Sequence, residues 1–180
     1  MAVKIHIIGG AGSGKSYLAS QIHKKMTIPH LDLDDIFWEN QATQYGIKAN
    51  EDARDYMLEK FLNQPSWVVE GVYLKWVTPS FERADRIFIL DTPLQVQEDR
   101  IWNRYYKRKS KVPHLAKKET LQSIHNLLEW NKKYNEIFLP EFMKKQRTLT
   151  KLFFLKIIKI LSATCSRLNK MAHNLSITVY

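Results

Sequence analysis

Short apolar runs rich in β-branched residues alternate along the chain with longer stretches whose apolar positions recur every three or four residues. Val3 to Ile8 reads as a strand, and the spacing from Lys15 to Met26 predicts a helix. Ile28 to Leu33 is a second short strand, and Asp52 to Leu62 is helical again. The runs PSWVVEG at 65–71 and ADRIFILD at 84–91 are compact and bounded by turn or charged residues, as buried strands are. Pro93 suits the first turn of a long helix through Arg108, because a proline there lacks only an N–H that the helix leaves unpaired. KSKVPHLAKK at 109–118 is basic, contains a proline and has no apolar period, so a mobile loop is expected. Helix resumes from Thr120 to Met143, with Pro140 expected to kink or end it. LKIIKIL at 155–161 reads as a last strand, followed by a short amphipathic helix from about Ala163 to Ala172. Strands alternating with helices imply an α/β fold, a parallel sheet with helices on both faces.

The first strand runs into GGAGSGKS, where Gly9, Gly14, Lys15 and Ser16 satisfy the spacing G-x-x-x-x-G-K-[ST] in the strand-to-helix context that this spacing requires. Glycines let the backbone turn so that successive N–H groups converge, and the following helix adds its positive end. The segment Gly9, Gly10, Ala11, Gly12, Ser13, Gly14, Lys15 and Ser16 is therefore read as a cradle for the phosphates of ATP. Lys15 would reach the β- and γ-phosphates, and the Ser16 hydroxyl would ligate Mg²⁺.

Acidic residues recur at the carboxyl ends of the predicted strands, the edge that faces the ligand crevice in an open parallel sheet. Asp32 and Asp34 stand two apart in HLDLDDIFW, where carboxylates can hold Mg²⁺ or accept a proton from an attacking hydroxyl. Asp34 or Asp35 could equally cap a helix starting near Ile36. Glu70 ends the third strand as a candidate for the metal's water shell, with Gly71 beside it, and Asp91 ends the fourth, where it could instead stabilise the next helix. Arg100, Arg104 and Arg108 follow at intervals of four on one helical face, either solvated or poised over a triphosphate.

A chain of 180 residues with 44% hydrophobic content is expected to form one domain over residues 1–180. Cys165 is its only cysteine, which excludes a disulfide framework and a zinc site and fits a reducing cytoplasm. The run at 152–161 is interrupted by Lys156 and Lys159 and is too short to span a bilayer, so no membrane association is expected. The formal charge of +10 is lopsided: ten Lys/Arg meet eleven Asp/Glu in residues 1–90, but eighteen meet seven in residues 91–180. That half either attracts polyanions, whether nucleotides, nucleic acid or acidic lipid headgroups, or is a solvated basic surface that aids solubility, and composition alone does not choose among them.

Taken together, GGAGSGKS, LDDIFW, WVVEGVY, RADRIFILDTP and RIWNRYYKRK resemble the P-loop proteins often labelled DNA topology modulation proteins, a group similar to adenylate and shikimate kinases. The resemblance covers about residues 1–145, and departs at Glu70 and Val72, where members typically carry Asp and Asn. It implies a three-layer, kinase-like P-loop NTPase fold with a five-stranded parallel sheet and a small lid at 109–118. It also implies Mg²⁺-dependent transfer of the ATP γ-phosphoryl group to a small-molecule acceptor. On this resemblance Lys15, Asp34, Arg100 and Arg104 carry the catalysis, with Asp34 near the acceptor hydroxyl, and Ser16, Asp32 and Glu70 hold the metal. Ser162 to Thr164 would border the adenine, while Trp38, Trp67, Tyr73 and Trp76 either stack on an acceptor or fill core. Two other readings stay open. One is a nucleic-acid-binding protein that affects DNA topology and uses ATP as a switch. The other is an NTP-hydrolysing regulator, for which no guanine-reading N-K-x-D element is present.

Overall fold

The computed structural model describes residues 2–39, 46–111, 120–145 and 152–155. Strands Lys4–Ile8 (β1), His30–Asp32 (β2), Trp67–Gly71 (β3) and Arg86–Leu90 (β4) pair in parallel, and the backbone of Leu152–Leu155 (β5) adds at one edge, giving the order β2-β3-β1-β4-β5. The helices are Lys15–Met26 (α1), Asp34–Phe37 (α2), Glu51–Leu62 (α3), Thr78–Arg83 (α4), Leu94–Lys111 (α5), Leu121–Lys133 (α6) and Leu139–Lys145 (α7).

The two-residue period of the strands sorts the core into two layers. Ile5 and Ile7 of β1, Val68 of β3 and Phe88 and Leu90 of β4 pack with Leu18, Ala19 and Ile22 of α1. Their neighbours Ile8, Trp67, Val69, Ile87 and Ile89 face the opposite way, against Leu58 and Leu62 of α3, Phe81 of α4 and Phe142 of α7. Because the sheet is covered on both sides, its strands are apolar nearly throughout, as parallel strands are. A third, smaller cluster joins Ile101 and Tyr105 of α5 to Ile124 of α6 and takes in Ala11 of the β1–α1 turn.

Several boundaries differ from expectation. Strand pairing is present from Leu152 to Leu155, ahead of the expected start at 155, in register with β4 from Ile87 to Leu90, and residues 156–161, the expected helix near 163–172, Ser162 to Thr164 and Cys165 lie outside the described residues. Lys109 to Lys111 continue α5, whose helical spacing of charged and aromatic residues carries past Arg108, while 112–118 of the expected lid lie outside the described residues. Pro140 neither kinks nor ends the helix at its own position. Instead, Tyr134–Phe138 form a π-turn, with the Leu139 N–H donating to the Tyr134 carbonyl, and α7 continues through the proline. A proline has no N–H for the carbonyl four residues back and its ring presses on that carbonyl, so the wider turn accommodates the conflict one turn earlier.

Candidate functional site

Gly9 to Ser16 link the end of β1 to α1 at the carboxyl edge of the sheet. Gly12 (φ 77°) and Gly14 (φ 103°) adopt left-handed backbone, a conformation that turns the chain sharply enough to aim its N–H groups inward. Gly14 is also the N-cap of α1, and having no side chain it leaves the first N–H groups of the helix uncapped and facing the turn. The Lys15 side chain folds back over this cradle, and its ammonium donates to the Gly10 carbonyl at 3.1 Å.

Four charged side chains act on that ammonium, Asp32 and Glu70 from strands, Asp34 from the start of α2 and Arg104 from α5. Burial lowers the pKa of Lys15, while Glu70, Asp34 and Asp32 act to raise it and Arg104 to lower it. Asp32 and Glu70 are register partners on β2 and β3. Glu70 is buried, and burial first, with Asp32 adding, pushes its pKa up to about 7, against the opposing pull of Lys15 and of a hydrogen bond from Ser16. One of its oxygens, Oε1, is buried with no hydrogen-bond partner. A desolvated carboxylate with an orphaned oxygen, beside a second carboxylate and a hydroxyl, fits a hard dication that binds oxygen. Among the described residues no three His, Cys, Asp or Glu side chains are grouped to hold a metal ion.

Asp34 opens α2 as its first residue; the N-cap is Leu33, without a side-chain cap, so neither Asp34 nor Asp35 is the cap of a helix starting near Ile36. Tyr73 donates to Asp34 Oδ1 at 2.6 Å, and the Asp34 N–H donates to Asp32 Oδ1 at 3.0 Å. Burial, and then the adjacent Asp34 carboxylate, push the Tyr73 pKa far upward, so the phenol stays protonated as a donor. Beside it the rings of Phe37, Trp38, Tyr73 and Trp76 cluster in edge-on and tilted contacts, with the Arg54 guanidinium 4.4 Å over Trp76. Trp67, named with these aromatics in the sequence, lies instead fully buried in the core, because it belongs to a strand covered on both faces.

Arg100 sits on the outer side of the turn, where its Nη1 donates to the carbonyls of Gly12 (3.0 Å) and Ser13 (3.2 Å). Asp91 is exposed, and the next residue, Thr92, is buried and donates to the Ser13 carbonyl at 2.9 Å. Behind the turn lies a group that sequence reasoning missed altogether. Gln97 of α5, Asn131 of α6 and Asn135 of the π-turn hydrogen-bond to one another, and Asn131 bonds both backbone groups of Ala11. The available signal was a Gln and an Asn at buried positions of otherwise apolar helix stripes, Gln97 before Ile101 and Tyr105, and Asn131 after Ile124 and Leu128.

Two cavities flank this region. One of about 360 Å³ is lined by Asp55, Glu59, Trp76 and Pro79, and one of about 300 Å³ by Thr92, Pro93, Asn135 and Pro140; neither includes a residue of the turn.

Comparison with known proteins places this geometry. No known family model matches the chain. It is similar to the uncharacterized protein YqaC of Bacillus subtilis (strain 168), 27% identical over 136 residues that cover 75% of this chain and 74% of that one. In fold it resembles a gluconokinase from Sinorhizobium meliloti 1021 (TM-score 0.55, 18% identity, 97% of this chain and 98% of that). It also resembles the shikimate kinase from Aquifex aeolicus vf5 (TM-score 0.52, 16% identity, 95% and 96%). The chain thus has the α/β fold with a parallel sheet seen in P-loop kinases. The two solved structures agree with the kinase-like fold that the sequence resemblance implied, and none of the three proteins carries the DNA topology name.

Proposed function

We propose that this protein is a small-molecule kinase of the cytoplasm that transfers the γ-phosphoryl group of ATP to a hydroxyl acceptor. The observation that carries this reading is the meeting of Lys15, Asp32, Asp34 and Glu70 at one end of the sheet, beside an aromatic pocket. The turn from Gly9 to Ser16 holds the ATP phosphates through backbone N–H groups, and Lys15 leaves the Gly10 carbonyl for the β- and γ-phosphates. Mg²⁺, held by Ser16 and Asp32 with Glu70 behind them, would neutralise charge developing on the phosphate oxygens. The acceptor lies among Phe37, Tyr73 and Trp76, with its hydroxyl toward Asp34.

In the transfer the acceptor oxygen bonds to the γ-phosphorus as the bond from that phosphorus to the β–γ bridging oxygen breaks. The hydroxyl proton passes to Asp34, and ADP leaves. Tyr73, by donating to Asp34, fixes the carboxylate's direction. Arg104 adds positive charge on the phosphate side of Lys15, while Arg100 holds the turn by its carbonyls. Positioning and charge stabilisation supply most of the rate.

The test is ATP consumption by the purified chain with Mg²⁺ against sugars, small hydroxy acids, nucleosides and nucleotides. One compound should stimulate consumption and be recovered phosphorylated, and Asp34→Asn should cut that transfer by about 10²–10⁴-fold. A full panel with no phosphorylated product, or an Asp34→Asn variant at wild-type rate, would overturn the assignment.

A further inference from the structure

Gly10 and Gly12 fall on the unconstrained positions of the G-x-x-x-x-G-K-[ST] spacing, so phosphate binding by that spacing does not account for them. The packing does. A Cβ on Gly10 would lie inside van der Waals contact of Gln97 Oε1, Asn131 Oδ1 (2.5 Å) and Asn135 Nδ2 (2.6 Å), and one on Gly12 would lie 2.5 Å from the Gln97 carbonyl. Gly10 is flattened against three amides carried by α5, α6 and the π-turn, and Gly12 against the backbone of α5 at Gln97.

Those amides form a closed circuit. Gln97 donates to the Thr92 carbonyl (2.7 Å) and Asn135 Oδ1 (3.0 Å), and its Oε1 accepts from Asn131 (3.0 Å) and Asn135 (3.2 Å), so every donor and acceptor site of this fully buried amide is used. Asn135 donates in addition to the Asn131 carbonyl at 2.7 Å. From this circuit Asn131 reaches the turn, accepting from the Ala11 N–H at 2.7 Å and donating to the Ala11 carbonyl at 3.3 Å. A buried polar network is stabilising and specific only when all members are satisfied, and here a single arrangement satisfies Gln97 on every side.

Resting on the reading of the turn as an ATP cradle, we infer that Gln97, Asn131 and Asn135 are positioning residues. They form a buried amide clamp that holds Gly10 to Gly12 in the phosphate-binding shape before nucleotide arrives. ATP then binds a turn already ordered and avoids the entropy of ordering it.

The experiment compares the full chain with Gly10→Ala, Asn131→Leu, Asn131→Asp and, as a core control away from the clamp, Phe142→Leu. Circular dichroism sets a temperature at which each is folded, and calorimetry with ATP and Mg²⁺ then reads affinity there. Gly10→Ala and Asn131→Leu should bind ATP about tenfold or more weakly, the scale expected of a displaced positioning element. Asn131→Asp, which keeps an acceptor for Ala11 but loses the donor to Gln97, should fall between them and wild type. Phe142→Leu should lower the melting temperature and leave affinity in place, as a purely structural role predicts for all four. If Asn131→Leu does not fold, Gly10→Ala and Asn131→Asp decide the question. Wild-type affinity in the folded clamp variants overturns the clamp and leaves the ATP reading standing, whereas a wild-type chain that binds no ATP removes the ATP reading and the clamp's role with it.

Discussion

Lys15 is a buried ammonium held on a backbone carbonyl, among three carboxylates and opposite Arg104. Its charge is disfavoured by burial, so its removal should not destabilise the fold, yet in the proposed reaction it is the group that reaches the transferring phosphate. Lys15→Ala should therefore keep its circular dichroism spectrum and its melting temperature within a few degrees while ATP turnover falls by about 10²–10³-fold or more. Turnover at the wild-type level would remove the turn from the chemistry. His6 poses a different question at the same scale. It is fully buried in β1, bonded to Ser80 Oγ at 2.8 Å and 4.4 Å from the Phe81 ring, and burial lowers its pKa to about 3. The unfolded chain takes up a proton below about pH 6.5 and the folded chain does not, so the contribution of His6 to stability is full above that pH and declines as pH falls toward 3, by about 1.4 kcal/mol per unit. Glu70, with its raised pKa, acts in the opposite direction in any variant that keeps it, so the readout is a difference: between pH 7 and pH 5 urea unfolding should show wild type losing about 2 kcal/mol relative to His6→Gln. An identical pH dependence in both chains would assign the titration elsewhere. Residue by residue, the sequence exposed what local spacing encodes. Lys15 and Ser16 follow from their glycine frame, and Asp32, Asp34 and Glu70 from their places at strand ends. Asn131 was not legible beside Ala11, because 120 residues separate them and no spacing connects a lone buried amide to a turn so distant.

Among the elements, the π-turn is the one whose cause and effect can both be tested. Its widened turn sets Asn135 beside Gln97 and Asn131 and still delivers Leu139 and Phe142 to the core, where the Phe142 ring lies 5.1 Å from Phe81. Deleting the exposed Ile137 would return the segment to ordinary helix, leave α7 and Phe142 in their places, and bring back the Pro140 conflict inside a regular turn. Stability should fall by about 3 kcal/mol, the cost of a proline in a helix interior. Denaturant unfolding checks this, and wild-type stability in the deletion would mean that the wider turn does not relieve the proline. The period of the pattern revealed α1, α3 and α5 closely because each carries one apolar stripe along a regular helix. The interruption of 120–143 was legible as a conflict at Pro140, but the sequence could not show that it would be relieved upstream of the proline rather than at it. The start of the last strand was misplaced for a similar reason: 152–161 is apolar almost throughout, and only pairing with β4 marks 152–155 within it.

At the scale of the whole molecule, the positive charge resides in residues 91–180, and the residues that converge on the phosphate turn come from both halves. A field of that sign raises the local concentration of ATP, and it would also draw nucleic acid without base specificity. If the field serves the kinase reaction, single-stranded or duplex DNA should leave ATP turnover unchanged, and any DNA affinity should fall steeply between about 50 and 200 mM salt. DNA that raises turnover in the absence of a phosphorylated small molecule would favour the nucleotide-switch reading. Among the described residues no helix is long and apolar enough to cross a membrane.

The strand order has a further consequence, for the timing of assembly. β1 is made first but sits between β3 and β4, so its hydrogen-bonding partners do not exist until residues 67–71 and 86–90 have been synthesised. The amides that brace the turn arrive later still, at positions 97, 131 and 135. The segment that opens the chain is thus among the last to acquire its shape, and a nascent chain shorter than about 135 residues has the glycine motif but not the braced turn. Nucleotide would then act on folding only at the end, capturing a cradle that the rest of the chain has already closed.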